Sequence, residues 1–329
     1  MRHLGRPLLA ILGLSVGAIC LWLAMRGVDW REVGRIFRAA DIRPIAAGIA
    51  LYGAGMLMRA GRWRAILSFR SPIGLAVTLK SLLAGYAVNS ILPARLGELF
   101  RTDYMARQTG LSRSGVLASI FVERLLDLIV VVGMLALGLA IVGGGSHAVL
   151  EVLAVGVLVM VVAVCGLYFI GTRLSAGGAE AFVSAVFGRL PGGQTIVRLL
   201  APRLGDFAQL LQKMRGPRFA RVAAVTLPIW AVEAMAVWLI CRAADVDLGP
   251  AALLCLMGVA NLSTLMPTAP AYAGSFQFAY VVVLAGFGVD ATTAVAAATT
   301  VQLYVIGGFT LLGLLTLAVA TVLAPRRAR

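Results

Sequence analysis

Between Asn89 and Asp127 the chain reads N-S-I-L-P-A-R-L-G-E-L-F-R, then a short polar link, then A-S-I-F-V-E-R-L-L-D. Arg95, Glu98, Arg101, Asp103, Glu123, Arg124 and Asp127 thereby stand among apolar runs of near membrane-spanning length. A charge at membrane depth costs about 2.5–3.5 kcal/mol on insertion scales unless it is paired or wetted. A chain that keeps so many beside a Pro/Gly break is restricted to a membrane bundle with a polar interior, either a pathway or a binding cavity.

Composition supports that restriction. Of 329 residues, 60% are hydrophobic and only 13% charged, with a mean hydropathy of +0.95; a soluble domain carries about 25% charged residues. Several apolar runs approach or exceed the ~18–20 residues that cross hydrocarbon, and the alternation of a membrane barrel is absent. The expected class is an all-α polytopic membrane protein. The net charge of +15 does not point to nucleic acid, because the basic residues fall at the ends of apolar segments, where the positive-inside rule places them. Lys80 and Lys213 are the two lysines among 29 basic residues. A GC-rich genome is sufficient to account for that arginine bias, which also suits phosphate recognition.

Cys20, Cys165, Cys241 and Cys255 lie singly in apolar runs, and His3 and His147 are the two histidines. No metal-ligand spacing results, and neither metal nor cofactor is expected. Arg2 and Arg6 precede an apolar run from Leu8, but Met25-Arg26 stands where a cleavage site would need small residues. A retained first helix is expected.

The apolar segments run approximately 8–25, 44–58, 73–92, 115–142, 149–171, 220–241, 251–265, 275–288 and 292–323. Residues 59–72 (Arg59, Arg62, Arg64, Arg70), the basic stretch 172–221, and Arg326, Arg327 and Arg329 are assigned to the cytoplasm. The uncharged link 143–148 is assigned outside; the mixed 26–43 loop opposes its own outside placement weakly. The chain between 73 and 114 must then enter and return on one side, as a re-entrant hairpin broken at Pro93, because irregular backbone at membrane depth survives only against protein or water. The same bookkeeping makes 251–288 a second hairpin, entering from the opposite face and broken within M-P-T-A-P-A-Y-A-G at 266–274.

The expected plan is about six full transmembrane helices plus two re-entrant hairpins, with an inverted repeat suggested by Asn89…Pro93…Gly97-Glu98 against Asn261…Pro267…Gly274. Its parts are a first half 1–171 with hairpin 73–110, a cytoplasmic linker 172–219, and a second half 220–329 with hairpin 251–288. In the linker, Ile196, Leu200, Leu204, Phe207, Leu211 and Met214 predict an amphipathic helix restarting near Pro202. It rests either on the anionic leaflet or on the protein.

At the first break, Pro93 removes a donor and Gly97 permits a sharp turn. Arg95 and Arg101 supply positive charge for a phosphate, and Glu98 and Arg101 are spaced to pair on one helix face. Glu123 and Asp127, four apart, either take up protons or serve as counter-charges to the hairpin arginines, with Arg124 or Arg101 as compensation. Glu233 has no local partner in its apolar segment, and Lys80 either snorkels or faces it. G-L-A-V-T-L-K-S at 74–81 lacks the glycine before lysine that a phosphate loop needs, so ATP hydrolysis is not expected. Without a nucleophile elbow, metal cluster or donor pocket, the chain is not expected to be an enzyme; action on a lipid headgroup through Glu123 and Asp127 is the competing enzymatic reading.

R-W-R-A-I-L at 62–67, the Asn89–Arg101 motif and S-I-F-V-E-R-L-L-D at 119–127 resemble the lysylphosphatidylglycerol synthase transmembrane-domain family, also called the flippase-like family. P-T-A-P-A-Y-A-G-S-F-Q at 267–277 is similar to its later motif, with Ala271, Tyr272 and Ala273 on glycine-rich ground and Gln277 where an acid is common. The resemblance implies a stand-alone lipid translocator of the bacterial inner membrane, without the soluble synthase domain; the loop charges put both termini in the cytoplasm. Its implied partners are a membrane lipid and, among proteins, a lipid-synthesising enzyme or a second copy of the chain. A non-transporting subunit that scaffolds a lipid-modifying enzyme or glycosyltransferase is the alternative.

Overall fold

The computed structural model describes residues 5–68, 72–92, 96–143, 176–189, 192–213, 217–265 and 269–322. They form helices α1 (Gly5–Met25), α2 (Trp30–Ala39), α3 (Ile42–Leu67), α4 (Leu75–Ile91), α5 (Leu96–Thr109), α6 (Arg113–Val142), α7 (Ala176–Phe187), α8 (Gly193–Lys213), α9 (Pro217–Ala243), α10 (Pro250–Ser263), α11 (Ser275–Ala285), α12 (Ala291–Val301) and α13 (Gly308–Val322). A one-turn 3₁₀ segment, Pro270–Tyr272, precedes α11, and a π-helical segment, Gln302–Gly307, joins α12 to α13.

Local chemistry sets several starts. Asp29, Asp41, Ser112 and Asp290 each accept a hydrogen bond from a backbone N–H of the first turn that follows, satisfying donors the helix cannot. Pro250 occupies the first turn of α10, where its missing donor is not needed.

The molecule keeps charged side chains inside and apolar ones on its surface. Arg59, Arg62, Arg101, Glu123, Asp127 and Glu233 are each no more than 5% exposed, whereas Leu57, Leu99, Phe121, Leu137, Leu227, Leu303 and Leu311 are about half exposed or more. A water-soluble protein does the reverse. Three runs among the described residues are long and apolar enough to cross a membrane: Arg113–Val142, Pro217–Ala243 and Ala291–Val319. The chain is a helical membrane protein.

At the centre α3 packs on α9. Gly48 lies against Ala236 and Ile240, Gly55 against Glu233, and Arg62 reaches Thr226, so the two helices run antiparallel. Around this pair the packing is reciprocal. Helix α4, the first arm of the first hairpin, lies on α13; helix α10, the first arm of the second, lies on α6. Each hairpin thus packs against the long helix that follows the other one. Helix α5 returns along α4 to reach α6, and α11 returns along α10 to reach α12.

Three expectations change. The helix over 44–58 extends to Leu67, so Arg59, Arg62 and Arg64 are helical residues, and Arg59 and Arg62 are interior ones, not cytoplasmic loop charges. The linker helix does not restart at Pro202 but runs through it. Its buried face overlaps the predicted stripe only in part: Leu204 and Phe207 pack inward, while Met214 and the Leu211 side chain lie outside the described residues. Val197, Ala201, Phe207, Ala208 and Leu210 turn inward, while Leu200 is 37% exposed. Phe207 and Leu210 pack with Ile66, Val122, Leu126 and Val222, so this part of α8 rests on the protein. The crossing expected over 149–171 lies outside the described residues.

Candidate functional site: a buried ion network and the cavity above it

Helical spacing gathers the charges. Arg59, Arg62 and Trp63 lie three and four apart on α3; Ser119, Glu123 and Asp127 lie four apart on α6; Thr226, Trp230 and Glu233 lie four and three apart on α9. Each set therefore shares one helix face, and the three faces meet, joined by Arg101 from α5.

Arg59 holds Glu233 through two parallel bonds, Nε to Oε1 at 2.5 Å and Nη2 to Oε2 at 2.7 Å, and donates Nη1 to Asp127 Oδ2 at 3.0 Å. Arg62 Nη1 donates to Asp127 Oδ1 at 2.8 Å and to Thr226 Oγ1 at 3.0 Å, and its Nη2 lies 3.5 Å from Glu123 Oε1. Arg101 Nη2 donates to Glu123 Oε2 at 2.7 Å. Trp230 Nε1 donates to Asp127 Oδ1 at 3.1 Å. The indoles also face the cations: Arg101 stacks 3.5 Å from the centre of Trp63, and Arg59 lies 4.9 Å from that of Trp230. Arginines 59, 62 and 101 balance acids 123, 127 and 233. That neutrality, with bidentate geometry and polar neighbours, is the condition under which buried charges are tolerated.

A fourth pair differs. Arg124 Nε donates to Glu98 Oε1 at 2.9 Å, and the two side chains keep 33% and 24% of their exposure. Arg124 Nη1 is only within 4.0 Å of Asp127 Oδ2. This pair lies where two cavities meet. One, of about 140 Å³, is central and of mixed character, with Tyr52, Arg59, Tyr86, Asn89, Tyr272 and Glu233 lining it beside Val237, Leu256, Phe276, Val301 and Ile306. The other, of about 520 Å³, opens to the surface and is largely apolar, with Leu117, Phe121, Leu125, Leu128, Leu262 and Leu265 in its walls. Glu98, Arg124, Trp230, Asn261 and Thr264 line both.

The hairpin breaks frame this junction. Asn89 Oδ1 accepts the Gly97 N–H at 2.7 Å, tying α5 back to α4. A Cβ at Gly97 would stand 2.1 Å from the Gly85 carbonyl oxygen, so the close approach of the two arms requires glycine there. In the second break Gln277 Oε1 accepts the Gly274 N–H at 2.8 Å, Gln277 Nε2 donates to Gln302 Oε1 at 2.5 Å, and Gln302 Nε2 donates to the Ala271 carbonyl at 2.7 Å. The unwound tip is thereby fastened to the π-helical segment. Gly274 has φ +90°, and a Cβ on it would strike the Gly17 carbonyl of α1 at 2.1 Å. Ala271 and Tyr272 also have positive φ, 54° and 61°, in the left-handed region that glycine occupies without strain.

Of the predicted site residues, Arg101, Glu123, Asp127 and Glu233 fall in the buried network, Glu233 bordering the central cavity and Asp127 the apolar one. Glu98 and Arg124 fall at the cavity junction, with Asn89 and Asn261 in the cavity walls. Asn261 Nδ2 donates to the Met257 carbonyl one turn back. Gly97 and Gly274 are the close-approach points. Pro93, Arg95 and Pro267 lie outside the described residues. The expected pairing of Glu98 with Arg101 along one helix gives way to pairing across helices, Glu98 with Arg124 and Arg101 with Glu123. Glu233, read as isolated, is held by Arg59, and Lys80 is exposed instead of facing it. Arg59, Arg62, Thr226 and Gln302 were missed. For Arg62 the available signal was the R-W-R motif at 62–64, and for Arg59 its place at the end of an apolar run; the loop charges assigned both to the cytoplasm. Among the described residues no group of three or more His, Cys, Asp or Glu is placed to hold a metal ion.

The family described as the lysylphosphatidylglycerol synthase TM region matches residues 10–325. A glycosyltransferase of Haloferax volcanii, AglD, is 28% identical over 327 aligned residues, which cover 89% of this chain and 51% of the relative. The chain thus spans about half the length of that relative.

Proposed function

This chain belongs to the lysylphosphatidylglycerol synthase TM-region family, and we propose that it moves a polar or anionic lipid between the two leaflets of a bacterial inner membrane. The observation that carries the reading is the shared wall of the two cavities. A central cavity that carries charged and hydroxyl groups and a largely apolar groove, meeting at Glu98 and Arg124, match the two halves of one amphipathic molecule. The tails lie along Leu117, Phe121, Leu125 and Leu128, facing the bilayer, and the headgroup reaches the polar side.

Arg124, not Arg101, is the phosphate ligand in this reading. Arg101 is 3% exposed, stacked on Trp63 and committed to Glu123. Arg124 is half-buried and donates Nε to Glu98 at the edge of both cavities, so a lipid phosphate can take the carboxylate's place with its own pair of oxygens. No step hydrolyses ATP or makes a covalent bond.

The reciprocal packing of α4 on α13 and α10 on α6 supports an inverted repeat, α3–α6 against α9–α13, related by an axis through the α3–α9 pair. In such a plan hairpins α4–α5 and α10–α11 enter from opposite faces. The basic residues of 172–221 and the C-terminal arginines set the cytoplasmic side, and about six full crossings follow.

The test is transport of a fluorescent phosphatidylglycerol in proteoliposomes. The wild type should accelerate exchange between leaflets. Arg124→Gln should slow it about tenfold, the loss of one charge-assisted contact of ~1.4 kcal/mol, while melting within a few degrees of wild type. Absence of acceleration by well-folded wild type over several anionic lipids would overturn the reading. The second reading, a membrane subunit serving a glycosyltransferase, draws on the AglD match, in which the similar region is accompanied by about as much chain again. It predicts retained, non-exchanging lipid and association with such an enzyme.

A further inference from the structure

A separate groove of about 420 Å³ runs between α3 and α9, away from the central cavity, and is lined by Met58, Gly61, Arg62, Ala65, Arg218, Arg221, Val222 and Val225. The two small residues open it: a Cβ at Gly61 would meet nothing within 4 Å. Arg218 and Arg221 are exposed on the first turns of α9, three apart, and Val222 and Val225 continue the same face into the helix. Because α3 runs antiparallel to α9, Ala65 sits at the arginine end and Met58 toward the valine end. The groove is therefore cationic at one end and apolar at the other, and none of its lining residues is an acid.

Behind it stands Arg62, 2% exposed. Its Nη1 is bound to Asp127 and Thr226, but its Nε has no hydrogen-bond acceptor among the described residues. A buried guanidinium with a donor left over is a cost that a nearby anion offsets.

We propose that this groove holds the phosphate of one anionic phospholipid of the cytoplasmic leaflet, bound by Arg218 and Arg221, with its acyl chain along Val222, Val225 and Met58. Arg62, whose Nε remains an uncommitted donor among the described residues, closes the inner wall. The site is independent of the translocation reading, sharing with it only the cytoplasmic placement of the α9 start. Its chemistry, a phosphate with an attached apolar chain, separates it from a free-phosphate site by the need for the apolar end.

The test uses the full chain in phosphatidylcholine nanodiscs containing a minor fraction of phosphatidylglycerol, with retained lipid counted by native mass spectrometry. An Arg124→Gln background removes the proposed central ligand. One phosphatidylglycerol should be retained, and Arg218→Gln/Arg221→Gln should weaken that retention about thirtyfold, the product of two interfacial arginines. Arg198→Gln/Arg203→Gln, which removes the same charge from exposed positions on α8, should leave it unchanged. Inorganic phosphate at millimolar concentration should not displace the lipid. Equal weakening by the two double variants would reduce the groove to part of a diffuse basic surface. Displacement by inorganic phosphate would make the ligand a soluble anion. Either outcome overturns the proposal.

Discussion

A guanidinium placed in the interior of this bundle is defined less by its charge than by how many of its donors are committed. Arg59 directs Nε, Nη1 and Nη2 at two carboxylates. Removing such a group leaves Glu233 buried and uncompensated, which typically costs about 3–5 kcal/mol, whereas replacing both partners by apolar residues is often close to neutral. Arg59→Met alone should therefore sharply reduce the melting temperature and the yield of monodisperse protein. Arg59→Met/Glu233→Met should recover a large part of both, because Asp127 keeps Arg62. A double variant no more stable than the single one would mean that Arg59 acts mainly through Asp127. This partnership was not legible in the sequence. Arg59 and Glu233 are 174 positions apart, and only the register between α3 and α9 brings them together.

The hairpins are set by backbone as much as by side chains. At Gly97 an added methyl would collide with the Gly85 carbonyl oxygen and the Asn89 side chain; the first of these is backbone and cannot rotate away. Gly97→Ala should thus force α5 off α4 and cost on the order of 1–3 kcal/mol, read as lost thermal stability in detergent. The second break offers the opposite experiment. Ala271 holds φ 54°, where a Cβ is strained by about 1–2 kcal/mol. Ala271→Gly should leave stability unchanged or raise it by up to about 1 kcal/mol, since part of the relief is lost to the greater freedom of the unfolded glycine. The sequence marked both breaks through their Pro/Gly content. It did not reveal the clamp on the second, because Gln277 and Gln302 belong to separate helical segments and neither stands out in composition.

At the scale of the whole molecule, the opposed-hairpin plan places Ser68 and Gln108 on one side of the membrane and Asp247 and Phe287 on the other. All four positions are exposed. In a cysteine-less background, single cysteines at 68 and 108 should react with an impermeant maleimide only from the cytoplasmic face. Those at 247 and 287 should react only from the outer face. Labelling of 68 and 108 from opposite faces would turn the first hairpin into a pair of crossings and remove the inverted repeat with it. The reciprocal packing of α4 on α13 and of α10 on α6 favours the same-side result.

What the sequence determined by itself was the solvent and the positions of the breaks. Apolar run length and the charges flanking each run report on a bilayer directly, since each residue's transfer cost is local. Turn-forming Pro and Gly report on backbone geometry in the same local way. What only the tertiary structure decided was which charges are structural and which are available. Arg101 and Arg124 have similar neighbourhoods in the sequence. Yet one is sealed against Trp63 and Glu123, and the other borders two cavities. The difference comes from the rotation of α5 and α6 about their own axes and from the partners that α3 and α9 supply. Those quantities are fixed by side-chain packing between distant segments, and no local pattern carries them.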